Sequence, residues 1–173
     1  MNLKFPALLF SIALAPAALA DVSVTLSNVH LCCNSCVKGV DKATATVVGA
    51  AAQSDRKADT VTITAPDKAT AQKAVDALVA AGYFGVSSDP SIKVDASSGA
   101  KDGMIESLTV TGVHLCCAKC VDAVSDALEK VPGVKANTAT KSAVSFEVTG
   151  NFDAKAVFAA LHDAGLTGKA AAK

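Results

Sequence analysis

One heptapeptide occurs twice, as HLCCNSC from His30 to Cys36 and as HLCCAKC from His114 to Cys120. Together the two copies hold all six cysteines of this 173-residue chain and two of its three histidines. A chain that gathers its thiols into two small knots must bond them to each other, shield them or give them to an ion. It must also build the same surroundings twice, so internal repetition is the first constraint on its architecture.

Beyond the knots the copies align at a separation of 84 positions, which superposes Val37, Val40 and Val47 on Val121, Val124 and Val131. Further on the separation falls to 83, matching Val61, Ile63, Leu78 and Gly82 with Val144, Phe146, Leu161 and Gly165, and this predicts one extra residue in an intervening loop. Between the copies runs SSDPSIKVDASSGAKDG, whose Ser, Gly, Asp and Lys content reads as a solvated linker. The expected organisation is a leader at 1–20, a first unit at 21–88, a linker at 89–104 and a second unit at 105–173. Each unit is of a size that folds alone.

Both units show the same succession of periodicities. Alternation at Val22, Val24 and Leu26, and at Leu108 and Val110, predicts a strand with one buried face directly before the motif. Apolar or small residues then recur at helical spacing, at Val37, Val40, Thr44, Val47 and at Val121, Val124, Leu128, Val131, so a helix begins within or just after each motif. Pro132 and Gly133 stop the second of these. A weak strand is followed by a clear one, at Val61, Ile63, Ala65 and at Val144, Phe146, Val148. A second helix carries Ala71, Val75, Leu78 or Ala154, Phe158, Leu161 and ends at Gly82 or Gly165. A short last strand begins near Phe84 or Leu166, weakest in the second copy, where GKAAAK has little strand character. The fold class is therefore α+β, two tandem ferredoxin-like units of order βαββαβ.

Residues 1–20 carry Lys4, an apolar run and a closing Ala18-Leu19-Ala20, the pattern of a cleaved secretory signal. Pro16 interrupts the run, and no basic cluster follows it, which argues against a membrane anchor. The mature protein is expected to be periplasmic or secreted, without stable membrane insertion, in an oxidising compartment. Loss of Lys4 leaves 15 of the 16 basic residues against 16 acidic ones. That balance, with Tyr83 the one tyrosine and no tryptophan, excludes the basic and aromatic surface of a nucleic-acid partner. Scattered acidic residues and the lack of a nucleophile elbow or a phosphate loop leave no hydrolytic or transferase site, so the chain reads as a binding protein and not an enzyme.

Two thiols three residues apart at the start of a helix can converge on one ion, and the positive end of the helix dipole favours their ionised form. Thiolates select soft ions such as Cu(I), Hg(II) and Zn(II) over hard cations, which take oxygen. The extra leading thiol, Cys32 or Cys116, would raise a two-coordinate site to a trigonal one. Neighbours on an extended segment point to opposite sides, however, so Cys32 and Cys33 need a turn to share an ion. Were His30 or His114 to reach inward, the set would become Cys3His, a composition known for structural zinc.

With the cysteines at the first strand-to-helix junction, each unit resembles a heavy-metal-associated domain, the family of small copper metallochaperones, metal-ATPase N-terminal domains and periplasmic mercury-binding proteins. That family carries Gly-Met-x-Cys-x-x-Cys on this loop, and its Gly-Tyr after the second helix is matched by Gly82-Tyr83, with Gly165-Leu166 in the other copy. The resemblance implies that Cys33 with Cys36 and Cys117 with Cys120 are the metal pairs, that Cu(I) is the first choice of ion with Hg(II) or Zn(II) next, and that a metal-donating or metal-accepting protein is the partner. It covers nearly the whole mature chain apart from linker and tail. The departures are His for Gly, Leu for Met and a third cysteine at the variable position.

Competing readings of the same residues are short-range disulfides, thiol–disulfide exchange through the CxxC pairs, and a zinc-stabilised interaction module. Against the first, each knot has an odd number of cysteines, and bridging such near neighbours closes too small a loop to stabilise much. Leu31 and Leu115 are expected to shield the site, Tyr83 to pack beside the sulfurs or in the core, and His162 to lie on the surface.

Overall fold

The computed structural model describes residues 21–171, and the expected leader at 1–20 lies outside the described residues. The first half runs β1 (Val22–Ser27), α1 (Asn34–Thr44), β2 (Ala51–Asp55), β3 (Thr60–Ala65), α2 (Lys68–Ala80) and β4 (Val86–Ser87). In the second half come β5 (Met104–Thr111), α3 (Ala118–Glu129), β6 (Val134–Asn137), β7 (Ser145–Asp153), α4 (Ala154–Asp163) and β8 (Lys169–Ala170). The strands form two four-stranded antiparallel sheets, ordered β2-β3-β1-β4 and β6-β7-β5-β8. This α+β architecture is compatible with the ferredoxin-like arrangement. Among the described residues no helix is long and apolar enough to cross a membrane.

The helices form where the spacing places them, but their buried stripes begin earlier than the valines suggest. On α1 the buried residues are Cys36, Val40, Ala43 and Thr44, and on α3 they are Cys120, Val124, Ala127 and Leu128. Steps of four, three and one put the last cysteine of each motif on the core-facing stripe. Val47 lies past the end of α1 and only Val131 of that expected pair is buried. The second helices bury Ala71, Val75, Leu78 and Ala154, Phe158, Leu161 as expected. Asp67 and Asp153 cap their N-termini, and Gly82 and Gly165 follow their C-termini at φ of 88° and 73°.

The expected match of β3 with β7 is corrected by the strand register. Val61 lies opposite Leu26, and Phe146 lies opposite Val110, so the pair that occupies the same place is Val61 with Phe146, 85 positions apart. Ile63 likewise corresponds to Val148. Val144, expected in the core, is 85% exposed because β7 starts one residue after it. The second copy thus has one residue more before β7, not one fewer. Strand β7 then runs straight into α4, so the second copy is two residues shorter from Phe146 to Ala154 than the first from Val61 to Ala71, which brings the helices back to a separation of 83.

The connection is not a free tether. Ile92 is buried, Gln72 holds the backbone of Lys93 from both sides, and Lys68 pairs with Asp89 at 2.9 Å. Further along, Ser98 accepts a hydrogen bond from Ala170 beside β8. The segment therefore straps one half to the other, and β5 begins at Met104, at the end of the expected linker.

Candidate metal centre

Each motif leaves its sheet through a turn whose geometry is set by one residue. Cys33 and Cys117 are the N-caps of α1 and α3, in extended conformation at φ −154° and −152°, and neither side chain caps the helix. Their sulfurs are therefore free of the backbone and sit at the positive ends of the helices. Cys36 and Cys120 follow in the first turn, fully buried, while the other four cysteines are half-buried. Beneath them Leu31 and Leu115 are almost fully buried and shield the loops, as expected.

The two motifs face each other. None of the six cysteines is in a disulfide. Within the first motif Cys36 Sγ lies 3.6 Å from Cys32 and 3.7 Å from Cys33, and within the second Cys120 Sγ lies 3.6 Å from Cys116 and 3.8 Å from Cys117. Contacts between motifs are as short: Cys32 to Cys117 3.4 Å, Cys32 to Cys120 3.6 Å, Cys36 to Cys116 3.5 Å and Cys33 to Cys116 3.7 Å. Within each motif the neighbouring sulfurs, Cys32 with Cys33 and Cys116 with Cys117, lie within 4.8 Å, and the leading cysteine reaches across as well. Its sulfur then meets the other motif's pair. The leading cysteines thus stand beside their own motif's last cysteine, as the sequence reading expected, and also within contact of the opposite CxxC.

Negative charge is shared unequally in such a cluster. Cys36 is drawn down to about 2, chiefly by a hydrogen bond from Cys120, whose own thiol is pushed up because it is that donor. Burial pushes the Cys32 and Cys116 thiols up as well. Cys117 is drawn down to about 7, first by the backbone of Cys120. Six sulfurs at van der Waals contact cannot all ionise without a counter-charge, and a cation among them would supply it.

Glycine lets the halves approach. A Cβ on Gly82 would lie 2.5 Å from the Gly112 carbonyl oxygen and from the His114 nitrogen of the other half. One on Gly165 would lie 2.5 Å from the Asn28 oxygen and 2.6 Å from the His30 nitrogen. Backbone bonds cross here, from His30 and Phe84 to the Gly165 carbonyl and from Thr167 to that of Gly82. Phe84 stacks on the His162 ring at 4.2 Å, so His162 is an interface residue and not the surface histidine expected.

The two motif histidines are treated differently. Tyr83 donates its hydroxyl hydrogen to the Cys36 carbonyl at 2.8 Å, and its oxygen lies 3.1 Å from His114 Nε2, whose ring stacks on the phenol at 4.5 Å. With the phenol proton committed, that nitrogen is the donor and Tyr83 the acceptor. His30 has no such partner. Its Nε2 is one of three buried side-chain polar atoms that lack a hydrogen bond among the described residues, and a ring nitrogen lies within 4.8 Å of the Cys32 and Cys120 sulfurs. Burial holds His30 below its ordinary pKa, so it presents a neutral imidazole.

Arg56 has no periodic or motif signal in the sequence. It donates to the Leu31 and Cys32 carbonyls and to Asn34, bracing the first loop from outside. In the second motif the Leu115 carbonyl is held instead by the backbone nitrogen of Ser142. Gly39 was likewise missed. A Cβ there would collide with the Tyr83 hydroxyl.

No protein-family model matches the chain, and no curated protein matches it. Among solved structures, the solution structure of the N-terminal soluble domains of Bacillus subtilis CopA aligns over 88% of this chain and 95% of that one, at 15% identity and a TM-score of 0.32. A likeness at that level carries no argument about this protein.

Proposed function

We propose that this is an exported soft-metal-binding protein, built of two tandem ferredoxin-like units of heavy-metal-associated type, that captures a thiophilic ion for sequestration or transfer. The observation that carries the reading is the convergence of six free thiols with sulfur separations of 3.4–3.8 Å. Three sulfurs about 3.6 Å apart surround a point about 2.1 Å from each, close to the ~2.3 Å of a metal–thiolate bond. Cu(I) is the favoured cargo, with Hg(II) and Zn(II) as further soft ions.

In this reading Cys33, Cys36, Cys117 and Cys120 are the principal ligands, Cys32 and Cys116 complete them, and His30 offers its unpartnered nitrogen. His114 is held by Tyr83 and contributes less. Transfer to a metal-accepting protein proceeds by ligand exchange, an incoming thiolate replacing the most exposed sulfurs first. The leader at 1–20 supports a periplasmic or secreted location. The protein, reduced and handled without oxygen, is expected to take Cu(I) from a chelator of moderate affinity; no uptake of Cu(I), Hg(II) or Zn(II) would end the proposal.

A further inference from the structure

The closest sulfur contacts form two triangles that each span both motifs, while the looser sets Cys116–Cys117–Cys120 and Cys32–Cys33–Cys117 lie within 4.8 Å. Cys33 and Cys36 close a triangle with Cys116, with sides of 3.7, 3.7 and 3.5 Å. Cys117 and Cys120 close one with Cys32, with sides of 3.8, 3.4 and 3.6 Å. The triangles are joined through Cys32–Cys36 and Cys116–Cys120, each at 3.6 Å. Every sulfur therefore has neighbours in both motifs, and six sulfurs stacked as two linked triangles are a cage of bridging positions.

Resting on the soft-metal reading above, we propose that the two motifs form one shared thiolate centre, in which Cys32 and Cys116 each complete the trigonal sulfur set of the opposite motif and bridging sulfurs hold a cluster of Cu(I) instead of one ion per motif. Charge favours the cluster. Two Cu(I) ions leave four of six thiolate charges unbalanced in a site whose two central sulfurs are fully buried, whereas about four ions leave two. Each ion is three-coordinate, each sulfur can bridge two ions, and the thiol protons leave to solvent as the metal enters, with no change of oxidation state. The Gly82 and Gly165 contacts hold the halves at the separation this needs.

Titration of the reduced full chain with Cu(I) under a competing chelator, followed by native mass spectrometry and X-ray absorption, tests the proposal. The expected result is a loaded species with more than two Cu(I) per chain, few intermediates and a short metal–metal scattering shell. A second arm starts from C117S/C120S, which leaves Cys32, Cys33, Cys36 and Cys116. Adding C116S there is expected to weaken Cu(I) retention about tenfold or more, and adding C32S to change it little, because the third ligand comes from the opposite motif. Saturation at one independent ion per motif, absence of the metal–metal shell at full load, or dependence on Cys32 in place of Cys116 overturns the shared centre while leaving soft-metal binding intact. Failure of the unmodified chain to bind Cu(I) sinks the shared Cu(I) centre, and failure to bind Hg(II) and Zn(II) as well sinks the soft-metal reading. The X-ray absorption arm uses the unmodified chain, so the outcome does not depend on the variants folding.

Discussion

The two halves meet at one centre but finish it differently, and the difference traces to a single Cβ. On α1 the residue facing the centre's flank is Gly39, and the space left by its missing side chain takes the Tyr83 hydroxyl. The equivalent position on α3 is Ala123, and Leu166 stands where Tyr83 would. A glycine inside a helix costs about 1 kcal/mol relative to alanine, so the first half accepts a weaker helix to admit a phenol. That phenol fixes His114. Without one, the His30 Nε2 is left unpartnered, and a ring nitrogen of His30 lies within 4.8 Å of the Cys32 and Cys120 sulfurs. Two halves of like element order thus differ, one holding its neighbour's histidine by a phenol and the other leaving a histidine nitrogen unpartnered.

Exchanging the small residues should break this contrast most severely. Gly39→Ala gains helix propensity but drives its methyl into the hydroxyl of a ring only 1% exposed, which has nowhere to move. A net loss of about 2–3 kcal/mol is expected from overpacking and from the polar groups it unpairs. Ala123→Gly, with no phenol above it, should lose only about 1 kcal/mol. Chemical denaturation of the reduced, metal-free chain compares the two. Equal losses would mean that the Gly39–Tyr83 contact does not distinguish the halves.

Tyr83→Phe is milder, since the ring stays and the hydroxyl goes. It leaves the half-buried His114 Nε2 beside the ring without its acceptor, and about 1 kcal/mol should be lost in the same denaturation experiment. A loss too small to measure would show the hydroxyl to be idle.

The histidines sharpen the comparison in metal binding. His30→Ala removes an unpartnered nitrogen, so the metal-free fold should change by less than about 1 kcal/mol, while Cu(I) retention against a chelator falls several-fold. His114→Ala should do the reverse, weakening the fold more than the binding, because its ring is stacked and hydrogen-bonded in the apoprotein. Similar profiles for the two variants would erase the division of roles.

These asymmetries mark the limit of what the chain discloses before it is folded. The order of strands and helices, the stripes of α2 and α4, their terminal glycines and the two CxxC pairs are all readable, because each rests on local periodicity or spacing. The register of β7 is not. A strand's alternation is unchanged by a slip of two residues, so Val144, Phe146 and Val148 fit the core as well as Phe146, Val148 and Phe152 until pairing with β5 decides. The crossing of Cys32 and Cys116 is hidden for another reason. Spacing places three thiols at each motif, but which of them meet the other motif depends on how two folded halves dock. Arg56 and Gly39 act only through that same tertiary placement.

The smallest expected effect concerns the other side of the interface, where Phe84 stacks on His162 while the equivalent pair, Val79 and Thr167, only lines a shallow cavity. Burial lowers the His162 pKa and the nearby Asp163 charge only partly opposes it; Asn28 and Thr167, which also face the residue, carry no charge. A histidine whose folded value lies below its unfolded one favours folding fully above the unfolded value, 6.5, and that contribution is lost as pH falls from there toward the folded value. His30 shifts in the same direction, so the reduced apoprotein should lose a few degrees of Tm between pH 7.5 and 5.5, above the range where the aspartates titrate. His162→Phe keeps an aromatic surface against Phe84 and removes the proton site, so part of that loss should disappear, while the shares of His30 and of the Cys117 thiol, drawn down to about 7, should remain. An undiminished loss in the variant would mean that His162 takes up its proton without disturbing the stack, and that this flank of the interface tolerates a charge.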